Sequence, residues 1–566
     1  MSGMIPMLIL VPLIGGTWLL VAARQNVHSA LPRQAAIVLA ALSLLLSLML
    51  VVVVAAQGNS VPSVTQGLEK PGFTGAVVSP TIKFQPTWLS FQPDSGLRLQ
   101  LALGADGLGA AMVLLTALVT FAVIVFALSS IEQHFVSYAG WILLSQAGLQ
   151  TVFLSMDLVL FYIGFELALL PLLVLISGWG DDDRRQVAQR FVLYTLSGSI
   201  PMVLALIGIV YLYPTAHGPT VLLEELSQRA SEMRATATLA GETWIFALLA
   251  IGLGIKVALL PLHTWLPTTY RSAHPTTTCL LAAVVLKLGF FGFLRIALPL
   301  TPLASEAYAS SILGTLGAIA IVYGALAALA QTDIRLILAY SSLSHAGFIS
   351  LGMFSLSEEG LTGAALQMFN HGITTAAMFL LAGCIITRLG SADIKSSGNG
   401  IADNYPRLAV LFLFFTFAGA GLPGLNNFVG ELMALSGMMT RHPILTVVGT
   451  SGIILGAWYA LLMARNLLFA TETQTKVARK VSVSSDLATR ETATLTVFAT
   501  LCLAIGCFPQ PAIDFIKAGV PISRSTSSVA RTDTSINVVG RALLPVNFAA
   551  TGKSARSTNS TQQDLR

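Results

Sequence analysis

LLAIGLGIKVALLPLHTW, residues 248–265, is apolar enough to lie in a lipid bilayer, holds Lys256 near its middle and carries a helix breaker at Pro261. About 20 apolar residues span the hydrocarbon layer, and a lysine placed inside such a run is costly unless it has a use. The rest of the chain repeats the apolar theme. Of 566 residues, 55% are hydrophobic and 10% charged, against about 25% charged in a soluble domain. Such a chain cannot cover itself with polar surface in water. Apolar runs follow one another from Met4 to about Ile513. The fold class read from this pattern is all-α integral membrane, with about 14 transmembrane helices.

The spans are expected at about 4–22, 35–55, 108–129, 138–155, 157–178, 191–213, 243–266, 275–298, 308–330, 334–354, 361–387, 407–437, 443–465 and 493–513. The first run, Met4 to Ala22, lacks a charged leader region and a small-residue cleavage site, so it reads as a retained helix. A Gly/Pro/Ser-rich stretch, 57–97, and a polar one, 214–241, are expected outside the bilayer. The division follows: 1–130 as three N-terminal helices with the first of these loops, 138–298 and 308–465 as two five-helix units, 466–513 as a connector with the last helix, and 514–566 as a polar tail too poor in apolar residues to form a core. Lys and Arg concentrate in the loops after the odd-numbered spans, which places that face in the cytoplasm and both termini outside.

The net charge of +5 comes from basic residues scattered among loops, with no basic face or stacking aromatics, so nucleic acid is not a partner. Cys279, Cys384, Cys502 and Cys507 lie in apolar segments without metal-ligand or redox spacing and read as small packing residues; no metal site is expected.

Four ionisable side chains stand well inside apolar runs: Glu166, Lys256, Lys287 and Glu431. Each costs roughly 2.5 to 3.5 kcal/mol at a helix centre, together about 10 to 14, which equals a typical protein's whole net stability. Structural ion pairs or snorkelling would account for one such group more easily than for four. An opposite charge about 4 Å away is worth roughly 4 kcal/mol at an effective dielectric of 20, so moving one partner would switch the other between charged and neutral. That is the behaviour of a proton-loading site. His345 and His371, on consecutive helices, add groups that titrate near neutrality. With Ser341, Ser342, Ser344, Asn370 and Thr374 they suggest a hydrated polar line, which a proton can use and a hydride or sugar cannot. His263 ranks lower as an interfacial residue beside Trp265, and Asp106, Asp157 and Arg465 lie near helix ends, where solvation or helix orientation explains them.

Span 7 is interrupted at Pro261 and span 12 at Gly419, Gly421, Pro423 and Gly424, each within about two turns of an ionisable residue, Lys256 or Glu431. Breaks five spans apart imply two five-helix units. An odd number of crossings makes those units inverted, each with a proton half-path beside a discontinuous helix.

The strings FYIGFELALLP (161–171), GIKVALLPLHTWLP (254–267), LKLGFFGFLR (286–295), DIRLILAYSSLSHAGF (333–348), QMFNHGITTAAMFLL (367–381) and GLPGLNNFVGE (421–431) together resemble the antiporter-like membrane subunits of complex I. The closest likeness is to the M-type (chain 4) subunits of NADH-quinone oxidoreductase, relatives of multi-subunit sodium/proton antiporter chains. The resemblance covers spans 3 to 13. It implies that Glu166 and Lys256 are the coupled pair of the first half-channel, that Lys287 passes the proton to the centre, that His345 and His371 continue the line, and that Glu431 is the terminal carboxylate. Glu431 itself favours the M-type pattern FVGE over sister chains that bear lysine there. By the same resemblance this chain holds no cofactor. NADH, FMN, iron-sulfur clusters and quinone belong to partner subunits, the other partners being membrane-arm subunits, the lipid bilayer and protons, and the site is a bacterial inner membrane, or a thylakoid or other energy-transducing membrane. After HTWLP the family usually reads Asp-Ala-His-x-Glu-Ala-Pro, whereas here Thr268 to Pro275 reads TTYRSAHP, one residue longer and without either acid. The rival functions are a cation/proton antiporter chain and a membrane-arm subunit of a hydrogenase-like or carbon-uptake complex.

Overall fold

Backbone N–H and C=O groups in hydrocarbon have no water to bond, so a spanning segment must satisfy them internally. The computed structural model, which describes residues 3–25, 30–58, 80–90, 98–213, 218–233, 238–394, 400–469 and 486–521, meets this requirement with helices. Among the described residues, twelve helices are long and apolar enough to cross a membrane. The two remaining expected positions hold the helix Phe135–Leu154 and the helix pair Pro406–Gly419 and Asn426–Met439. The tail expected at 514–566 begins inside a short helix, Gln510–Lys517, and from residue 522 it lies outside the described residues, as does most of the loop at 57–97.

One helix, Pro275–Leu300, is wholly surrounded by the others. Others show an apolar outer stripe: Leu193, Leu196, Ile200, Leu204 and Ile207 are exposed along one side of Arg184–Leu212. Helical spacing puts these residues on the face turned to lipid or to neighbouring chains.

Lipid is as apolar as leucine, so helix pairs rely on close packing at small residues. Pro302–Leu329 meets Ile334–Met353 through Gly317, Gly324 and Gly347, and a Cβ added at Gly347 would stand 2.7 Å from the Gly317 carbonyl oxygen. Gly347→Ala is therefore expected to cost about 1 to 3 kcal/mol by overpacking. Denaturation in mixed micelles measures this, and an unchanged midpoint would remove the assigned role of the glycine contact.

The first break falls earlier than Pro261 and the second begins at Gly419, the first of the breakers expected there and ahead of Pro423, for one reason. A proline has no N–H for the carbonyl four residues back and its ring crowds that carbonyl. Four residues before Pro261 is Val257, where Leu239–Lys256 ends; four before Pro423 is Gly419, where Pro406–Gly419 ends. The chain resumes as Trp265–Ser272 and as Asn426–Met439. A third interruption was not anticipated: Leu158–Gly178 is irregular at Ala168, and Pro171 leaves the Leu167 carbonyl without its usual donor.

Outside the spans, Ile82–Phe84 pairs antiparallel with Leu103–Ala105, and Thr87–Ser90 with Arg98–Gln100. The other long loop forms a short helix, Leu223–Glu232, whose Glu224 accepts from Lys83 at 2.5 Å. Cys279, Cys384 and Cys502 are buried as expected of packing residues, but Cys507 is exposed. It ends the helix Thr489–Cys507, where its thiol donates toward the Gly424 carbonyl at 3.6 Å.

Candidate functional site

Lys256 is the last residue of its half-helix and is buried. The carbonyl end of a helix carries a partial negative charge, a favourable place for a cation. The turn that follows is held by Trp265, whose indole N–H donates to the Ile255 carbonyl at 2.8 Å, and it forces Ala258 to a left-handed φ of 55°, a conformation that costs about 1 to 3 kcal/mol in a residue with a side chain. The Lys256 ammonium lies 4.6 Å from the centre of the Phe165 ring and has no hydrogen-bond acceptor among the described residues. Glu166 follows Phe165 in sequence, is partly buried, and accepts from the Ser199 hydroxyl. The two groups expected to be coupled therefore do not touch: no ion pair within 4.0 Å joins them, and an aromatic ring lies at the lysine.

Lys287, Glu431 and the two histidines do form a contiguous line. Lys287 sits on the enclosed helix between two wide π-type turns, Leu281–Val285 and Phe293–Ala297. Such turns recur at functional sites because they displace backbone carbonyls from the regular ladder. The Lys287 ammonium donates to the Ala282 carbonyl at 2.6 Å and meets Nδ1 of His371 at 2.7 Å. The His371 and His345 rings have their centres 5.2 Å apart. Nδ1 of His345 lies 2.9 Å from Oε1 of Glu431, and the Gln367 amide donates to the same oxygen at 3.2 Å. All four members are buried.

Glu431 stands in the second turn of Asn426–Met439, near the end of that half-helix whose free N–H groups favour an anion. The break that creates this end needs glycine: Gly421 holds φ at 72°, and a Cβ there would lie 2.9 Å from Oε2 of Glu431. Asn370 and Asn426 exchange side-chain to backbone bonds at 2.7 and 3.0 Å, fixing the half-helix to Glu358–Leu389. Past His345 lies a cavity of about 30 Å³ reached by Ser341, Ser342, Thr374, Asn427 and Tyr459. That is room for two or three waters at roughly 10 to 15 Å³ each. Two of the polar residues expected on the line have other work: Ser344 donates to the Ile321 carbonyl of the neighbouring helix, and Asn370 pins the break.

The sequence reading missed three buried charges, Arg295, Glu242 and Glu491, and misjudged two more, Asp106 and Asp157. Asp106, expected to be solvated or merely to orient a helix, is buried and paired with Arg295 while also capping the Gly109 N–H at 2.9 Å. Arg388 pairs with the buried Glu491 at 3.3 Å. Glu242 accepts the backbone N–H groups of Leu303 and Ala304 at 2.7 and 3.2 Å. Arg295 was legible, an unexplained cation inside FGFLRIALPL; nothing local marks its partner. His263 is partly buried at the first break, with Nε2 3.2 Å from the Tyr323 hydroxyl. Asp157 caps Leu160 at 2.6 Å, and burial pushes its carboxyl up to about 6.

A multi-span helical protein with two broken helices, each beside a buried ionisable group, and a chain of basic groups between them is an antiporter-like membrane protein. The family model described as "NADH:quinone oxidoreductase/Mrp antiporter, TM" matches residues 155–456, more than half of the chain, and the chain belongs to that family. It is 34% identical over 424 residues to NADH-quinone oxidoreductase subunit M of Rhodobacter capsulatus, covering 75% of this chain and 81% of the relative. Its fold is similar to a chain of respiratory complex I from Thermus thermophilus with bound NADH, with a TM-score of 0.74 at 32% identity over 91% of this chain and 99% of that one. A chain of the Mrp complex from Dietzia sp. shares the fold, with a TM-score of 0.73 at 21% identity over 92% and 96% of the two chains.

Proposed function

We propose that this chain is a proton-translocating membrane subunit of a complex I-type NADH-quinone oxidoreductase. The observation that carries the reading is the unbroken series of buried contacts from Lys287 through His371 and His345 to Glu431. Lys287 and His371 can share one proton, as can His345 and Glu431, while the two imidazoles meet ring to ring, and none of these groups can be charged without changing the cost of charging the next. Glu166 and Lys256 stand at the head of the line. Their separation, with the lysine over the Phe165 ring, suits a pair that closes only when a partner subunit moves one of its helices. The two halves, 138–298 and 308–465, act as inverted units, one around each broken helix.

Electron transfer from NADH through FMN and iron-sulfur clusters to quinone takes place in partner subunits, and this chain receives its energy as conformational change. The names of the subunit M relatives and the match to a complex I chain support that placement. The membrane is a bacterial inner membrane, protons leave the cytoplasm, and both termini face outward.

Glu166→Gln in the assembled complex is expected to reduce pumped protons per electron strongly, and coupled quinone reduction with it. A wild-type proton ratio in that variant would overturn the assignment. Co-purification separates this reading from the antiporter one: quinone-reducing and iron-sulfur partners are expected, and small antiporter subunits alone would favour the rival.

A further inference from the structure

The line from Glu166 leaves one polar seam unused. At the start of the enclosed helix, His274 Nδ1 lies 2.7 Å from the Thr276 hydroxyl, which lies 2.7 Å from the Tyr138 hydroxyl, which lies 3.0 Å from the Thr277 hydroxyl. His274 is partly exposed and the other three are buried. Two further polar side chains lie deeper on the Tyr138 helix, Phe135–Leu154. Gln146 and Gln150, one turn apart on that helix, are fully buried, and neither amide has a hydrogen-bond partner among the described residues.

The register of the two helices shows where those amides lie. Tyr138 meets Thr276 at one level and the Phe153 ring packs 5.1 Å from the Phe291 ring at another. Fifteen residues separate the two levels on each helix, so the helices run side by side in the same direction. Lys287, eleven residues past Thr276, is level with the interval between Gln146 and Gln150. Gln146 and Phe153 are two turns apart and share the face that meets the enclosed helix. A buried amide with neither donor nor acceptor satisfied is a place for water.

We propose that this seam is a hydrated proton inlet to Lys287, opening at His274 and separate from the Glu166 and Lys256 route. The inference rests on Lys287 carrying a proton. Burial pushes the His274 imidazole down to about 4, which keeps it neutral, with one ring nitrogen accepting and the other donating. In the tautomer that carries its proton on Nδ1, giving up the 3.4 Å contact from the Thr276 backbone N–H, a proton arriving at Nε2 is matched by one leaving Nδ1 toward the Thr276 hydroxyl. Thr276, Tyr138 and Thr277 each accept one and release one, so no group keeps a net charge. From Thr277 to the level of Gln146 is about 10 Å along the helix, a gap that about three waters close at hydrogen-bond spacing. The inlet begins in the TTYRSAHP segment, where this chain departs from the usual family pattern.

The test uses the assembled complex. Tyr138→Phe removes one hydroxyl oxygen and is expected to lower the pumping rate roughly tenfold or more, as loss of a proton-transfer group does. In parallel, Gln146→Cys and, at the same depth but turned away, Ala147→Cys are introduced with Cys507→Ser and treated with a small water-soluble methanethiosulfonate. Labelling at 146 but not at 147 is expected. Slowed pumping in Tyr138→Phe together with that pattern supports the inlet. Wild-type pumping in Tyr138→Phe overturns it, and so does slowed pumping with Gln146→Cys unlabelled, since the hydroxyl is then only structural. Failure of the underlying reading looks different, because Glu166→Gln would then also pump normally.

Discussion

Replacing Lys287 by methionine is expected to abolish proton translocation while leaving the chain folded and assembled. The ammonium is buried with the Ala282 carbonyl and His371 as polar partners and with no carboxylate at ion-pair distance among the described residues, so methionine strands no opposite charge. His371 loses a partner at Nδ1 but keeps Thr375 at 3.1 Å on its other nitrogen. Function depends on something methionine cannot supply, a group that takes up and gives back a proton, and a positioned group of that kind is worth roughly a hundredfold or more. Lys287→Arg sharpens the test. Arginine preserves the positive charge but does not give up its proton inside a protein. If the charge alone mattered, Arg would restore pumping; if the proton must leave, Arg fails as Met does. Proton-coupled quinone reduction in the purified assembly, with assembly checked separately, decides between them, and normal pumping in Lys287→Met would remove Lys287 from the path.

The second large effect concerns stability. Arg295 and Asp106 are a buried ion pair in which the carboxylate also caps Gly107–Ser130 and the guanidinium lies 5.2 Å from the Phe291 ring centre. Removing one member strands the other charge, which costs about 3 to 5 kcal/mol. Arg295→Met is expected to show that loss in micelle denaturation. Asp106→Asn should lose a comparable amount although asparagine still caps a helix well, because the cap survives and the charge balance does not. Combining the two should recover much of the loss, since no unpaired charge then remains. A double variant as unstable as the sum of the single ones would mean that the pair acts through packing alone.

These two sites mark the limits of what local sequence could tell. Lys287 was evident from its position in an apolar run, because a cation in hydrocarbon is expensive whatever surrounds it. Asp106 looked ordinary, since an acid at a helix start is usually a solvated cap, and its partner lies 189 positions away in the chain. The π-type turns around Lys287 had no visible signal either. The second break was legible in place, at Gly419, whereas the first was displaced from Pro261, because a proline acts on the carbonyl four residues before it.

By itself the sequence determined that the chain lives in a membrane, which groups within it are out of place there, and that two of its helices must break. Composition and local backbone chemistry settle those points, and both are properties of the chain read in order. Only the tertiary structure decided which groups meet. It joined Lys287 to His371 and His345 to Glu431, left Lys256 apart from Glu166 beside an aromatic ring, and assigned Arg295 to Asp106. Contact between side chains on different helices depends on how those helices rotate and pack, and the small residues that fix their packing carry no record of which charge lies opposite which.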